Sequence, residues 1–225
     1  MNSKKRTIII GIIVALCCIV MSIVDGIIQP DYAIKSIIKL ALFLIVPVTY
    51  SVFDKNLNIK SLFIPNKIGI ITAVSLCIPV YIVIIGAYML LKDVFDLSQI
   101  TTSLTSNIGV NRDNFVFVAL YISFINSLLE EFFFRGFAFL TLRRVASEKL
   151  AYIFSSLLFA LYHIAMMIGW FGGGVLILSL VGLFMGGLIF NYLNAKSNNI
   201  YTSWFVHMFA NFAINTIGFM LFGII

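Results

Sequence analysis

Apolar residues fill this chain in long runs that short polar segments separate. Seven runs approach the roughly 20 mostly apolar residues that a helix needs to cross a bilayer. They lie at about 7–24, 36–53, 68–91, 114–142, 150–169, 174–193 and 200–224. The pattern predicts an all-α polytopic membrane protein, a single membrane domain over residues 1–225 with a bundle of about seven transmembrane helices.

The composition agrees with this pattern and excludes other classes. Apolar residues make up 61% of the chain and charged residues 11%, whereas a soluble domain has roughly 45–50% and about 25%. The net charge of +6 raises the question of a nucleic-acid partner, but the 15 basic residues are scattered between the apolar runs. We therefore expect a lipid bilayer around the protein and no nucleic acid.

Basic residues are unequally divided between the two sets of alternate connections. One set carries the positive excess, at Lys4, Lys5, Arg6, Lys55, Lys60, Lys67, Arg143, Arg144, Lys149 and Lys196. The other set contains Asp25, Asp31, Asp93, Asp96 and Asp113. Because cytoplasmic connections carry the excess of lysine and arginine, the N-terminus is predicted to be cytoplasmic. The first run could also be a signal peptide, but no convincing cleavage site follows it, so we interpret it as a retained helix.

Ionisable side chains inside the predicted spans are few. The fourth span contains Glu130, Glu131 and Arg135, and the only two histidines are His163 in the fifth span and His207 in the seventh. A charge at the centre of a spanning helix costs about 2.5 to 3.5 kcal/mol on insertion scales, which makes such residues functional candidates. Lys39, the other basic residue inside a span, lies near a helix end, where we expect its ammonium to reach the interface.

Helical spacing separates the two glutamates. Glu131 and Arg135 are four residues apart, the spacing of an ion pair along one helix face. At 3.6 residues per turn, Glu130 is displaced by about 140° from Arg135. The spacing therefore predicts a structural pair between Glu131 and Arg135, with Glu130 left free for chemistry.

The polar residues of the fourth, fifth and seventh predicted spans lie at a similar depth in the membrane. In the seventh span His207, Asn211 and Asn215 follow at spacings of four and form a polar stripe. Counted at about 1.5 Å per residue from the predicted cytoplasmic ends, Glu130, His163, His207 and Asn211 lie at similar depth. A bundle can therefore bring these four side chains into one polar cavity.

Several known arrangements for peptide hydrolysis within a membrane are absent from the sequence. It contains no His-Glu-x-x-His zinc helix, no Gly-x-Ser-x-Gly nucleophile and no aspartate deep within a predicted span. One glutamate, two histidines and one asparagine remain. A carboxylate beside a histidine can take a proton from water and return it to a leaving amine, and a second histidine with an amide can stabilise an oxyanion.

The residues that remain carry a resemblance to a known family. Glu130-Glu131-x-x-x-Arg135, Phe159-x-x-x-His163 and His207-x-x-x-Asn211, on successive apolar helices, resemble the CAAX protease and bacteriocin-processing family (CPBP, or Abi, family) of intramembrane proteases. The resemblance covers about residues 114–215, the expected catalytic core. The helices over 1–92 match nothing specific and are expected to be a variable part.

The resemblance implies an intramembrane endopeptidase that acts on a membrane-associated peptide or protein. It assigns water activation to Glu130 and His163 and the oxyanion site to His207 and Asn211. The helical spacing adds a supporting role for Glu131 and Arg135. Bacterial relatives are associated with bacteriocin maturation, self-immunity or pheromone processing. The short connections are typical of bacteria, so we expect a protein of the bacterial plasma membrane.

The resemblance leaves the metal requirement open, because family members are often labelled metalloproteases. Glu130, His163 and His207 could in principle bind zinc. Asparagine is a poor zinc ligand, however, and a glutamate that activates water needs no metal. We therefore expect no cofactor, with zinc as the alternative.

Two other classes of function would use the same residues. A proton-coupled transporter would also place glutamate and histidine at mid-membrane, although the inverted repeat common in transporters is not apparent here. A non-catalytic immunity or scaffold protein would need these side chains only as hydrogen bonds between helices.

Overall fold

The computed structural model of the chain describes residues 2–54, 57–95, 99–168 and 172–225. Within these ranges the protein is almost entirely helical and contains no strand. The helices are α1 (Ser3–Ile28), α2 (Tyr32–Phe53), α3 (Lys67–Leu91), α4 (Gln99–Ile108), α5 (Phe115–Val145), α6 (Glu148–Met167), α7 (Gly173–Ser197) and α8 (Tyr201–Leu221). A 3₁₀ helix, Ile59–Phe63, lies between α2 and α3.

Six of these helices, all except α4 and α6, are long and apolar enough to cross a membrane. Helix α6 has 20 residues and corresponds to the predicted span at 150–169. The prediction of an all-α polytopic membrane protein is therefore confirmed. Gly169, at the end of that predicted span, and the loop charges Lys55 and Asp96 lie outside the described residues.

Two connections differ from the sequence prediction. The polar stretch 92–113 contains helix α4, which hydropathy does not reveal because serine and threonine dominate it. Helix α1 also continues through Asp25, which was assigned to a connection. The carboxylate of Asp25 is buried, and its Oδ1 lies 2.9 Å from Lys35 Nζ. The burial of Asp25 is possible because Lys35 supplies the compensating charge.

Helix α5 is the central helix of the bundle. Every residue from Phe132 to Leu140 is buried, and this part of α5 contacts α1, α2, α6 and α7. Its aromatic side chains pack closely: the rings of Phe43 and Phe133 stack with centroids 4.1 Å apart. The outer faces of α1 and α3 expose isoleucine and valine, as expected for helices that face lipid.

Helix crossings next to the core depend on two glycines. A Cβ atom on Gly69 of α3 would lie 2.6 Å from Thr202 Oγ1, and one on Gly187 of α7 would lie 3.0 Å from Ser156 Cα. Small residues of this kind let membrane helices approach closely. They bring α8 and α6, which carry the two histidines, against the rest of the bundle.

Candidate active site

The acidic pair lies where helix α5 departs from regular geometry. Two π-helical segments, Ile122–Asn126 and Glu131–Leu140, flank four regular residues that end at Glu130. π-Helical turns are rare in proteins, and many of those that do occur lie at functional sites. Glu130 is the last residue of the regular segment and Glu131 is the first residue of the following π-helical one, so the pair lies at the change of geometry.

The carboxylate of Glu130 lies between two histidines from different helices. Its Oε2 is 3.7 Å from His163 Nε2 and 3.8 Å from His207 Nε2. The other oxygen, Oε1, is 2.5 Å from Lys39 Nζ and accepts a hydrogen bond from Asn126 Nδ2 at 3.0 Å. The structure therefore brings three of the predicted residues together, but the expectation that Glu130 has no partner is wrong.

The prediction that the ammonium of Lys39 reaches the membrane interface is wrong. Its side chain is only 7% exposed, and its ammonium points at Glu130 rather than at the membrane interface. Helix α2 begins at Tyr32, so Lys39 lies two turns inside the helix, too deep for an easy approach to water. Because an unpaired buried ammonium is very costly, the carboxylate of Glu130 is what makes this position tolerable.

His163 is oriented by its own helix. Its Nδ1 lies 2.7 Å from the Phe159 carbonyl oxygen, and a carbonyl can only accept, so Nδ1 carries a hydrogen and donates it. In the neutral imidazole this leaves the lone pair on Nε2, the nitrogen that faces Glu130. Phe159 and His163 were predicted to share one helix face, and the backbone carbonyl of Phe159 fixes the tautomer of His163.

His207 is oriented by the second glutamate. Its Nδ1 is 2.9 Å from Glu131 Oε1, while the hydroxyl of Ser203 donates to Glu131 Oε2. The imidazole also stacks on Phe190, with centroids 5.3 Å apart. Glu131 therefore holds the second histidine in place, a contact that helical spacing along α5 alone does not reveal.

Arg135 lies one turn after Glu131 on α5 and is its ion-pair partner. Its Nε lies 3.5 Å from Glu131 Oε2, and both side chains are fully buried. Among the described residues its three guanidinium nitrogens have no hydrogen-bond partner. The guanidinium instead lies 3.9 Å from the ring centroid of Phe159 and 5.0 Å from that of Phe190. The charge of Arg135 is thus compensated by Glu131 and by two aromatic faces.

The two asparagines of the predicted polar stripe have different surroundings. Asn211 lines the cavity next to the histidines, and its Nδ2 donates to the Ile122 carbonyl at 3.2 Å, which occupies one of its two N–H donors. Asn215 donates to the Ala119 carbonyl and to Ser123 Oγ. Asn215 therefore joins α8 to α5, whereas Asn211, in the cavity wall, has a second N–H with no hydrogen-bond acceptor among the described residues.

A cavity of about 360 Å³ opens beside these residues. Glu130, His163, His207 and Asn211 all contribute to its wall. The rest of the lining is mostly apolar and extends to the helix ends at Tyr32, Phe115 and Leu221 and to Leu104 in the middle of α4. A cavity with apolar walls and a few convergent polar groups is typical of a binding site.

The described side chains around Glu130 are not arranged as zinc ligands. Across residues 2–54, 57–95, 99–168 and 172–225, no three His, Cys, Asp or Glu side chains are grouped so that they could hold a metal ion. In addition, the ammonium of Lys39 already lies 2.5 Å from Glu130 Oε1. A second cation at the same carboxylate would be repelled, so the arrangement does not fit a zinc site.

Comparisons with known proteins address the family. No curated protein and no solved structure matched the chain. Residues 112–213 match a family model described as Rce1-like, type II CAAX prenyl endopeptidase Rce1-like. This range contains both glutamates, both histidines and Asn211. The match confirms the resemblance predicted from the sequence and, at the level of that family, supports an intramembrane endopeptidase.

Proposed function

We propose that this protein hydrolyses peptide bonds of a membrane-associated peptide or protein, with Glu130 as the base that activates water. One observation carries the proposal: Glu130 Oε2 faces the Nε2 atoms of two histidines from different helices, in the wall of a largely apolar cavity. The direct test is hydrolysis of a prenylated CAAX peptide by the purified protein in liposomes, compared with its Glu130→Gln variant.

The reaction begins with water between Glu130 and the scissile carbonyl. Oε2 of Glu130 takes one proton from water while the water oxygen forms a bond to the carbonyl carbon, so that the carbonyl oxygen becomes an oxyanion. When the C–N bond breaks, the carboxyl of Glu130 returns the proton to the leaving nitrogen. The lone pair on His163 Nε2, which faces Oε2 of Glu130, accepts a hydrogen bond from the same water and so orients it toward the carbonyl carbon.

In this proposal His207 and Asn211 stabilise the oxyanion. His207 already donates Nδ1–H to Glu131, so donation from Nε2 as well requires the doubly protonated imidazolium. The buried carboxylate of Glu131 stabilises that positive charge. The second N–H of Asn211 is the other donor, and preorganised donors of this kind are worth about 10²–10³ in kcat each.

The proposed reaction needs no metal ion, and this gives a prediction. We expect purified, active protein to contain far less than one zinc per chain and to keep its activity in a strong chelator. Metal analysis and peptide hydrolysis are measured on the same sample before and after chelation. Stoichiometric zinc that is lost together with activity would contradict the metal-free mechanism.

We propose a bacterial plasma membrane as the location, with the N-terminus in the cytoplasm. The positively charged connections at Arg144 and Lys196 then face the cytoplasm. The cavity extends toward the opposite helix ends, near Tyr32 and Phe115. A peptide would therefore reach Glu130 from the extracytoplasmic side.

The orientation predicts which exposed positions an impermeant thiol reagent can label in intact cells. Asn111, before α5, and Ser147, between α5 and α6, are both exposed. We expect Asn111→Cys to be labelled in intact cells and Ser147→Cys only after lysis. The native Cys17, Cys18 and Cys77 are buried, so the unmodified chain is the control. The reverse pattern would overturn the orientation.

A further inference from the structure

Lys39 reaches the candidate active site from outside the part of the chain that matches the family. It lies on α2, whereas the matched range is 112–213. Its Nζ is 2.5 Å from Asn126 Oδ1 and 2.5 Å from Glu130 Oε1. The ammonium thus joins the N-terminal helices to the residue that carries the proposed chemistry.

The two oxygens of Glu130 have different surroundings because of this contact. Oε1 is held by Lys39 and by Asn126 Nδ2. Oε2 is 3.7 and 3.8 Å from the two histidine nitrogens, which is beyond hydrogen-bond distance. Oε1 is therefore an anchored oxygen, and the lone pairs of Oε2 remain available on the side of His163 and His207.

The position of Lys39 is itself well fixed. Its ammonium lies 5.6 Å from the ring centroid of Phe43 and 5.1 Å from that of Tyr162, within the range of cation–π attraction. One turn earlier on α2, Lys35 is paired with Asp25 and so does not compete for Glu130. A charge packed in this way has little freedom to leave the carboxylate.

We propose that Lys39 is a positioning residue for the hydrolytic reaction: it anchors Oε1 of Glu130 and compensates the carboxylate charge, so that Oε2 points between the two histidines. This inference rests on the proposed function, because Lys39 acts only through Glu130. It also gives the helices outside residues 112–213 a direct part in the active site.

The test compares Lys39→Met, Lys39→Arg and Arg6→Met with the unmodified protein. Arg6 Nε lies 2.8 Å from Asp54 Oδ2, away from the active site. Arg6→Met therefore also removes one cation from an ion pair, and it serves as the control for Lys39→Met. The probe is a quenched fluorescent peptide that ends in a farnesylated CAAX sequence, assayed in liposomes. Glu130→Gln measures the background rate.

We expect Lys39→Met to lower kcat by about 10²-fold with little change in KM, since a small misplacement of a catalytic group costs this much. Lys39→Arg keeps the positive charge and should retain more of kcat than Lys39→Met, although its planar guanidinium does not reproduce the contacts of an ammonium. Arg6→Met should leave kcat unchanged. A Lys39→Met protein with normal kcat would overturn the proposal.

A second measurement separates positioning from a purely structural role. Dicyclohexylcarbodiimide attacks protonated, but not ionised, carboxyl groups in apolar surroundings, and mass spectrometry locates the adduct. A buried carboxylate that loses its partner takes up a proton, so Lys39→Met should increase the labelling of Glu130 several-fold over the unmodified protein. Unchanged labelling with normal thermal stability would contradict the proposal.

The failure of this inference differs from the failure of the proposed function. If the unmodified protein and Glu130→Gln hydrolyse the peptide equally, the proposed function is wrong. If the unmodified protein is active, Glu130→Gln is inactive and Lys39→Met is fully active, only the role of Lys39 is wrong.

Discussion

Replacing Glu130 with glutamine is expected to lower kcat by about 10²- to 10⁴-fold, the contribution of a positioned general base. Glutamine has nearly the same size and keeps an oxygen for Lys39 and Asn126, but its amide cannot take a proton from water. The rate is measured on the prenylated CAAX peptide with equal amounts of folded protein in liposomes. Activity close to that of the unmodified chain would contradict the role of Glu130.

The contact between Glu130 and Lys39 shows why the single variant Glu130→Gln needs a second variant as its control. Glu130→Gln leaves the ammonium of Lys39 buried without a carboxylate, and an uncompensated buried charge can destabilise the whole bundle. The double variant Glu130→Gln/Lys39→Met removes both charges. We expect it to accumulate normally in the membrane and to remain inactive, which separates lost chemistry from lost folding. If the protein were only a non-catalytic scaffold, the cellular process that depends on it would be unchanged in this double variant.

The second large effect is expected at Glu131. Glu131→Gln removes the only carboxylate within reach of the fully buried Arg135 among the described ion pairs and weakens the contacts with His207 and Ser203. Breaking a buried pair by removing one partner costs about 3–5 kcal/mol. We therefore expect a marked loss of folded protein on heating in detergent and, because His207 loses its partner, a loss of activity as well.

The matched control for this prediction is Glu131→Gln/Arg135→Met. It removes the unpaired guanidinium and leaves a side chain that still packs against Phe159 and Phe190. We expect most of the thermal stability to return, while activity stays low because His207 remains without its carboxylate. If Glu131→Gln unfolds at the same temperature as the unmodified protein, the pair between Glu131 and Arg135 does not support the fold as argued.

The sequence predicted those features that depend on neighbours along the chain. The apolar runs locate the long helices because a bilayer demands about 20 apolar residues for each crossing. The pairing of Glu131 with Arg135 follows from their spacing of four, which survives even though this part of α5 is π-helical. The possible grouping of Glu130 with the two histidines is the exception: it came from their similar depth along three separate helices.

The features that the sequence did not predict depend on how separate helices pack. Lys39 and Glu130 are far apart in the chain, so only the packing of α2 on α5 shows that they are partners. The contact of His207 with Glu131 also depends on the rotation of α8 against α5. Nothing in the hydropathy of α2 distinguishes a lysine that reaches the interface from one that contacts a carboxylate.

The most direct test of the account follows the oxygen of water during hydrolysis. Purified protein in liposomes is incubated with the prenylated CAAX peptide in ¹⁸O-labelled water, and the products are identified by mass spectrometry. We predict two peptide fragments, with one ¹⁸O atom in the newly formed carboxyl group, and no fragments with an equal amount of folded Glu130→Gln/Lys39→Met protein. Fragments of equal yield from both proteins would contradict the central claim that Glu130 activates water for peptide hydrolysis.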